Sequence, residues 1–262
     1  MDTTRASEPK HIPRISMNTL GVCSIAVDGI VQSTVPSSCF RIATYLLLSG
    51  SRMMMARQRL KSIFWPDADL EKASANLRQN LVRIRRFQDE NGFQLIGSNF
   101  TLVYLVPHGI DWDLHDFLDA LDGDDEASIV SACELYGGDL LADIGASSPE
   151  FEEWLSDQRE RLRGTLIEKL AGALGDTILS PSARGLCAHK LLAIDSCNEQ
   201  AFQTLMTEAA EQGDHARLHH LFARCERQLM NEFGVGSSDG TRGLYSQLSR
   251  NLHSHPPRNG SS

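Results

Sequence analysis

Arg78, Gln79, Val82, Arg83 and Arg86 recur at spacings that gather them on one side of a single helix. Side chains of these types read base pairs: guanidinium groups pair with guanine, a carboxamide pairs with adenine, and a short apolar group meets the thymine methyl. A second set, Arg57, Arg59, Lys61, Lys72 and Arg85 with Ser98 and Asn99, has the make-up of a phosphate-binding surface. Cations neutralise the strand there, while hydroxyl and amide groups bond its oxygens and fix the register. The chemistry on offer is recognition of double-stranded DNA.

Such a face needs a helix to carry it. From Ala73, the residues Ala73, Leu77, Leu81, Ile84 and Phe87 follow at steps of 4, 4, 3 and 3, which predicts a buried stripe with the arginines opposite. That helix is predicted over about Leu70–Asp89, capped by Asp67 or Asp69 and closed by Asn91-Gly92. Asn80 falls on the stripe and reads as a buried or boundary amide.

Before it, Ser37 or Ser38 opens a helix through Leu48 that Gly50 ends, and a second helix covers about Ala56–Phe64 until Pro66 stops it. The Met53-Met54-Met55 run between them reads as loop. Asp28-Gly29 marks a hairpin within Ile15–Val35. A second hairpin runs from Phe93 through Ser98-Asn99 to Val106, with Pro107 at its end, and its tip lies within reach of an adjacent minor groove. Sheet, three helices and hairpin is the order of a winged helix.

Past Asp111 strand signals stop. Helices are predicted at about Leu114–Leu121, Glu126–Tyr136, Pro149–Leu179, Ala183–Ile194, Glu199–Gln212, His215–Phe233 and Thr241–Leu252, joined by short glycine-bearing turns. Paired helices of this length suggest stacked hairpins of the tetratricopeptide kind. The fold class is therefore mainly α: an N-terminal winged helix-turn-helix with small antiparallel sheets, then an all-α repeat domain. The division is a tail at 1–14, a winged helix at 15–108, the repeats at 109–252 and a tail at 253–262.

Charge is segregated in the same way. The chain carries a formal net charge of −9, yet residues 1–109 hold 13 Lys or Arg against 8 Asp or Glu, and the remainder holds 12 against 26. Residues 38–88 alone reach 10 against 3, the footprint of a nucleic-acid surface. The acidic half should repel DNA, so cutting it away after Gly109 is expected to raise background binding.

Other chemistry finds no support. There is no phosphate-cradling G-x-x-x-x-G-K-[ST] loop, so no nucleotide cofactor and no enzyme are expected. His215 and His219 stand at i and i+4 but lack the partners of a metal site. Asp122, Asp124, Asp125 and Glu126 suit a helix start. Phe151, Trp154, Leu155, Leu162 and Leu166 read as core rather than a docking stripe. The six cysteines are scattered, as in reduced cytosolic proteins, and no secretory signal or membrane span is evident, so a cytoplasmic location is expected.

Nearly the whole chain resembles the SARP-type regulators (Streptomyces antibiotic regulatory proteins), which join an OmpR-like winged helix to a bacterial transcriptional activation domain. In the first half the resemblance rests on Leu20-Gly21, Leu60, Phe64-Trp65-Pro66-Asp67, Ala75-Asn76-Leu77-Arg78, Ile84-Arg85-Arg86 and Tyr104-Leu105. In the second it rests on Tyr136-Gly137-Gly138-Asp139-Leu140-Leu141, Trp154-Leu155, Arg159, Leu162-Arg163, Ile194-Asp195, Asn198-Glu199, Leu205-Met206, Gly213-Asp214 and Glu232-Phe233-Gly234-Val235. Gly236-Ser237-Ser238 departs from the family, which commonly has proline there. The resemblance implies a transcription regulator, an activator that contacts DNA and RNA polymerase, often as a homodimer, with a protein partner on the repeats. Longer members carry further ATPase, phosphopeptide-binding or repeat domains, none of which is expected here. A second reading is an interaction adaptor whose winged helix no longer binds DNA.

Overall fold

The computed structural model describes residues 13–49, 52–106, 109–176 and 179–254, with side chains described to residue 251. Gly50, Pro107 and most of both expected tails (1–12 and 255–262) lie outside the described residues; His253 and Ser254, which were expected in the tail, belong to the last helix. Two compact units share the chain. One is built from the described residues up to Asp116 together with Leu135–Arg159, the other from Phe117–Glu134 together with Glu160 onward.

The first unit opens with β1 (Ile15–Asn18), β2 (Ser24–Val27) and β3 (Ile30–Val31), paired antiparallel around the expected Asp28-Gly29 turn. A short strand β7 (Ile110–Trp112) then joins β1 in parallel, giving the order β3-β2-β1-β7. This sheet is therefore mixed, not purely antiparallel as expected. Helix α1 (Ser37–Ser49) buries Phe40, Ile42, Ala43, Tyr45 and Leu46. Met54–Ala56, of which the sequence assigns Met54 and Met55 to a loop and Ala56 to the start of the second helix, is strand β4; it pairs with β6 (Leu102–Leu105), which in turn pairs with β5 (Ile96–Ser98). The turn into β4 places Arg52 and Met53 in the left-handed region at φ 53° and 57°.

Helices α2 (Arg57–Phe64) and α3 (Leu70–Asn91) follow, separated by Trp65–Asp69. Asp69 caps α3 by accepting from Lys72 N at 2.8 Å, and Gly92, in left-handed conformation, ends it. The wing formed by β5 and β6 is tied to α3 by Gln88, a residue the sequence reading passed over. Its carboxamide is buried, accepts from Leu95 N (2.9 Å) and Ile96 N (2.7 Å), and donates to Ile96 O (3.0 Å). Replacing it by the similarly sized Met orphans all three groups. Gln88→Met is expected to cost about 2 kcal/mol, read as a lower urea midpoint with an unchanged slope.

The motif residues of the resemblance meet inside this unit. Gly21 N donates to Asp139 O at 3.0 Å, Leu141 N to Thr19 O at 2.8 Å, and Leu20 bridges Leu140. A Cβ at Gly137 would lie 2.7 Å from Leu20 O, which explains a glycine there. Arg159 donates to Leu140 O (2.7 Å) and Leu141 O (2.9 Å), closing off the returning segment. Beside it, the Asp113 carboxylate accepts from Thr19 N, Thr19 Oγ1, Leu20 N and Leu114 N at 2.7–2.9 Å, while Trp112 Nε1 donates to Thr19 Oγ1 at 2.9 Å. Burial raises the Asp113 carboxyl above its ordinary value even though these bonds pull the other way.

Leu135–Arg159 were counted with the repeats in the sequence reading, but they belong to this first unit. Phe151 and Trp154 stack with ring centroids 5.3 Å apart; Phe151 lies 4.9 Å from Phe64, and Trp154 meets Tyr45 edge-on at 4.7 Å. Ser148 Oγ donates to Ile63 O. Aromatic anchoring at this density outweighs the helical pattern that grouped these residues with the repeats.

The second unit is helical. Its elements are α4 (Asp113–Asp122) from Phe117 on, α5 (Glu126–Leu135), α6 (Pro149–Gly175) from Glu160 on, α7 (Pro181–Ile194), α8 (Glu199–Glu211), α9 (His215–Phe233) and α10 (Asp239–Ser254). Helix α8 touches α7, α9 and α10. Ser180, Asn198 and Asp214 cap α7, α8 and α9 through their side chains. Asp125 accepts from Ser128 N at 2.7 Å at the start of α5, as its acidic turn suggested. Where proline is absent from the last segment, Ser238 takes over: its Oγ accepts from Thr241 N at 3.3 Å and donates to Glu199 at 2.7 Å. Of the expected stripe, Phe151, Leu155, Leu162 and Leu166 are buried and Trp154 is half-buried. The described residues are thus mainly α, a winged helix followed by a helical domain.

Candidate nucleic-acid interface

Helix α3 splits as its spacing predicts. Ala73, Leu77, Leu81, Ile84 and Phe87 are buried, while Arg78, Gln79, Val82, Arg83, Arg85 and Arg86 are exposed. Asn80 is half-buried and donates to Asn76 O at 2.9 Å, a boundary amide. The exposed cations are not equivalent. Arg86 Nε lies 2.7 Å from Glu90, Arg85 Nε lies 3.5 Å from Asp89, and both pairs are exposed one helical turn apart. Glu90, through its hydrogen bond, raises the Arg86 guanidinium further above an already high value. Arg78 and Arg83 make no ion pair among the described residues.

Between α3 and the wing runs a cleft of about 740 Å³ whose walls include Arg57, Arg78, Val82, Arg85, Ser98 and Tyr104. Three arginines, Arg57, Arg78 and Arg85, line it. Tyr104 lies flat across Gly97, where a Cβ would stand 2.4 Å from its ring. A larger residue there would push the ring away from the strand.

Part of the expected phosphate set is drawn into this cleft, and part is engaged elsewhere. Arg57 is half-buried in the wall, its Nε without a partner, and its backbone N–H donates to Thr101 O at 2.9 Å. Arg59 is exposed outside the cleft. Lys61 donates to Ser74 Oγ at 3.1 Å, and Lys72 pairs with Asp69 at 3.1 Å. Ser98 is exposed in the cleft wall. Asn99 is exposed at the wing turn, but its Oδ1 already accepts from Thr101 N (3.0 Å) and Leu102 N (2.8 Å). Its carboxamide oxygen shapes the turn. The strongest feature the sequence reading missed is Phe100, 94% exposed at the same turn.

No described helix is long and apolar enough to cross a membrane. A family model described as the bacterial transcriptional activator domain matches residues 120–249. No curated protein matches the sequence. Among solved structures, that of Mycobacterium tuberculosis EmbR in complex with a low-affinity phosphopeptide is similar, with a TM-score of 0.57 and 15% identity. The similarity covers 91% of this chain and 66% of that one, just under two thirds, and at this identity it speaks for the fold. Residues 120–249 are thus similar to the bacterial transcriptional activator domain, and the likeness to the solved structure concerns the fold.

Proposed function

We propose that this chain is a transcriptional regulator of the SARP type that binds double-stranded DNA sequence-specifically, with α3 in the major groove and one strand of the backbone in the cleft between α3 and the wing. The observation that carries the reading is the outer face of α3: Arg78 and Arg83, exposed and without an ion pair among the described residues, flank Gln79 and Val82, the latter 61% exposed. In this reading Arg78, Gln79, Val82 and Arg83 meet base edges, with Arg86 at the end of the row once it leaves Glu90. Arg57, Arg85 and Ser98 line the phosphate path, with Arg59, Lys61, Lys72 and Asn99 at its margins. The activator domain supplies the contact to RNA polymerase, and two copies on repeated sites form the regulatory unit.

Four to six neutralised phosphates give a slope of about −4 to −5 in log K against log salt. Fluorescence anisotropy on a duplex selected from a random pool by the full chain measures it. A flat salt response, or no selected duplex at all, would leave the chain as a protein-interaction adaptor.

A further inference from the structure

The wing turn is held from several directions. Asn99 N–H donates to Leu102 O at 3.0 Å, the Asn99 side chain accepts from Thr101 N and Leu102 N, and Arg57 N–H reaches across from α2 to Thr101 O. Gln88 anchors the base of the same hairpin. On this fixed turn Phe100 is 94% exposed, above every other large apolar side chain described. Hiding a phenyl ring from water is favourable, so a turn held this firmly that presents one to solvent keeps that gain in reserve for a partner.

The surroundings say which partner. The hairpin that carries the ring forms one wall of the cleft bearing Arg57, Arg78 and Arg85, and the segment from residue 38 to 88 holds 10 basic against 3 acidic residues. An apolar wedge beside cations that grip a strand is the arrangement by which proteins part a base step from the minor-groove side. We propose that Phe100 enters the minor groove flanking the α3 site and selects sequence through the ease with which that step unstacks. The inference rests on the DNA-binding reading above. Because an inserted ring reads deformability and not hydrogen-bond pattern, the flank should favour pyrimidine–purine steps.

The experiment compares the full chain with F100A and F100W on duplexes selected from a random pool by the unaltered chain. F100A is expected to bind about 5- to 30-fold more weakly, the lower range for one lost base–aromatic contact. Its salt slope should be unchanged, since a phenyl ring neutralises no phosphate, and its melting curve should match the parent. Selection repeated with F100A should keep the α3 half-site and lose the flanking pyrimidine–purine preference, while F100W keeps both. A 2-aminopurine at the flanking step should brighten with the parent chain and stay dark with F100A. Equal affinity and an unaltered flank for F100A would overturn the proposal. So would full DNA affinity coupled to weaker retention of RNA polymerase, which would make Phe100 a protein contact. If the parent chain selects no duplex, the DNA-binding reading falls first and this contact with it; if the parent selects well and F100A is indistinguishable, only the wedge falls.

Discussion

Asp113→Ala is expected to destabilise the first unit by about 3–5 kcal/mol, the largest single-residue loss outside the apolar core. The carboxylate satisfies the backbone N–H groups of Thr19, Leu20 and Leu114 and the Thr19 hydroxyl, and Thr19 is fully buried. Alanine leaves those donors facing each other with no acceptor, and each unsatisfied buried donor costs about 1–3 kcal/mol. Asp113→Asn should recover part of the loss, because one amide oxygen remains while the NH2 group confronts further donors. The measurement is direct. All three tryptophans, Trp65, Trp112 and Trp154, belong to the first unit, so intrinsic fluorescence in a urea titration reports on it alone. A midpoint within error of the parent would show that Thr19 and Leu20 find other acceptors.

The second large effect is on DNA. Arg78→Ala and Arg83→Ala are each expected to weaken binding to the selected duplex about 10- to 100-fold, as one bidentate base contact is worth roughly 1–3 kcal/mol. The double variant should lose more than either alone, and neither change should alter the melting curve, because both side chains are exposed. Arg86→Ala should cost less, about threefold, since its guanidinium is already spoken for by Glu90 and must exchange one partner for another. Unaltered affinity in the double variant would remove α3 from the groove.

Much of this architecture could be read from residue order, and the exceptions have physical causes. The division of α3 was legible because 3- and 4-residue apolar steps from Ala73 to Phe87 leave one solution. Gln88 was legible in principle, standing four residues after Ile84 on the buried side, where an amide must find partners. So were the Arg85–Asp89 and Arg86–Glu90 pairs, at the spacing where opposite charges meet on a helix. By contrast, β4 and β7 span 3 residues each, too short for any periodicity, and exist because β6 and β1 offer open edges to them. That Asn99 spends its oxygen inside the turn, leaving the neighbouring ring bare, depends on turn geometry no spacing rule encodes. The return of Leu135–Arg159 to the first unit depends on which aromatic surface is free after folding, which is a property of the assembled chain.

That return has a consequence for how the molecule can be taken apart. The polypeptide passes from one unit to the other three times, near residues 116, 134 and 159, so neither unit is a continuous length of chain. A clip after Gly109 would strip the N-terminal half of β7, Asp113 and the Phe151–Trp154 stack, and the fragment would be a damaged fold whose background binding says little about acidic repulsion. Separating the first unit from the second must therefore carry the interleaved stretch along, and a first unit expressed without it should arrive unfolded.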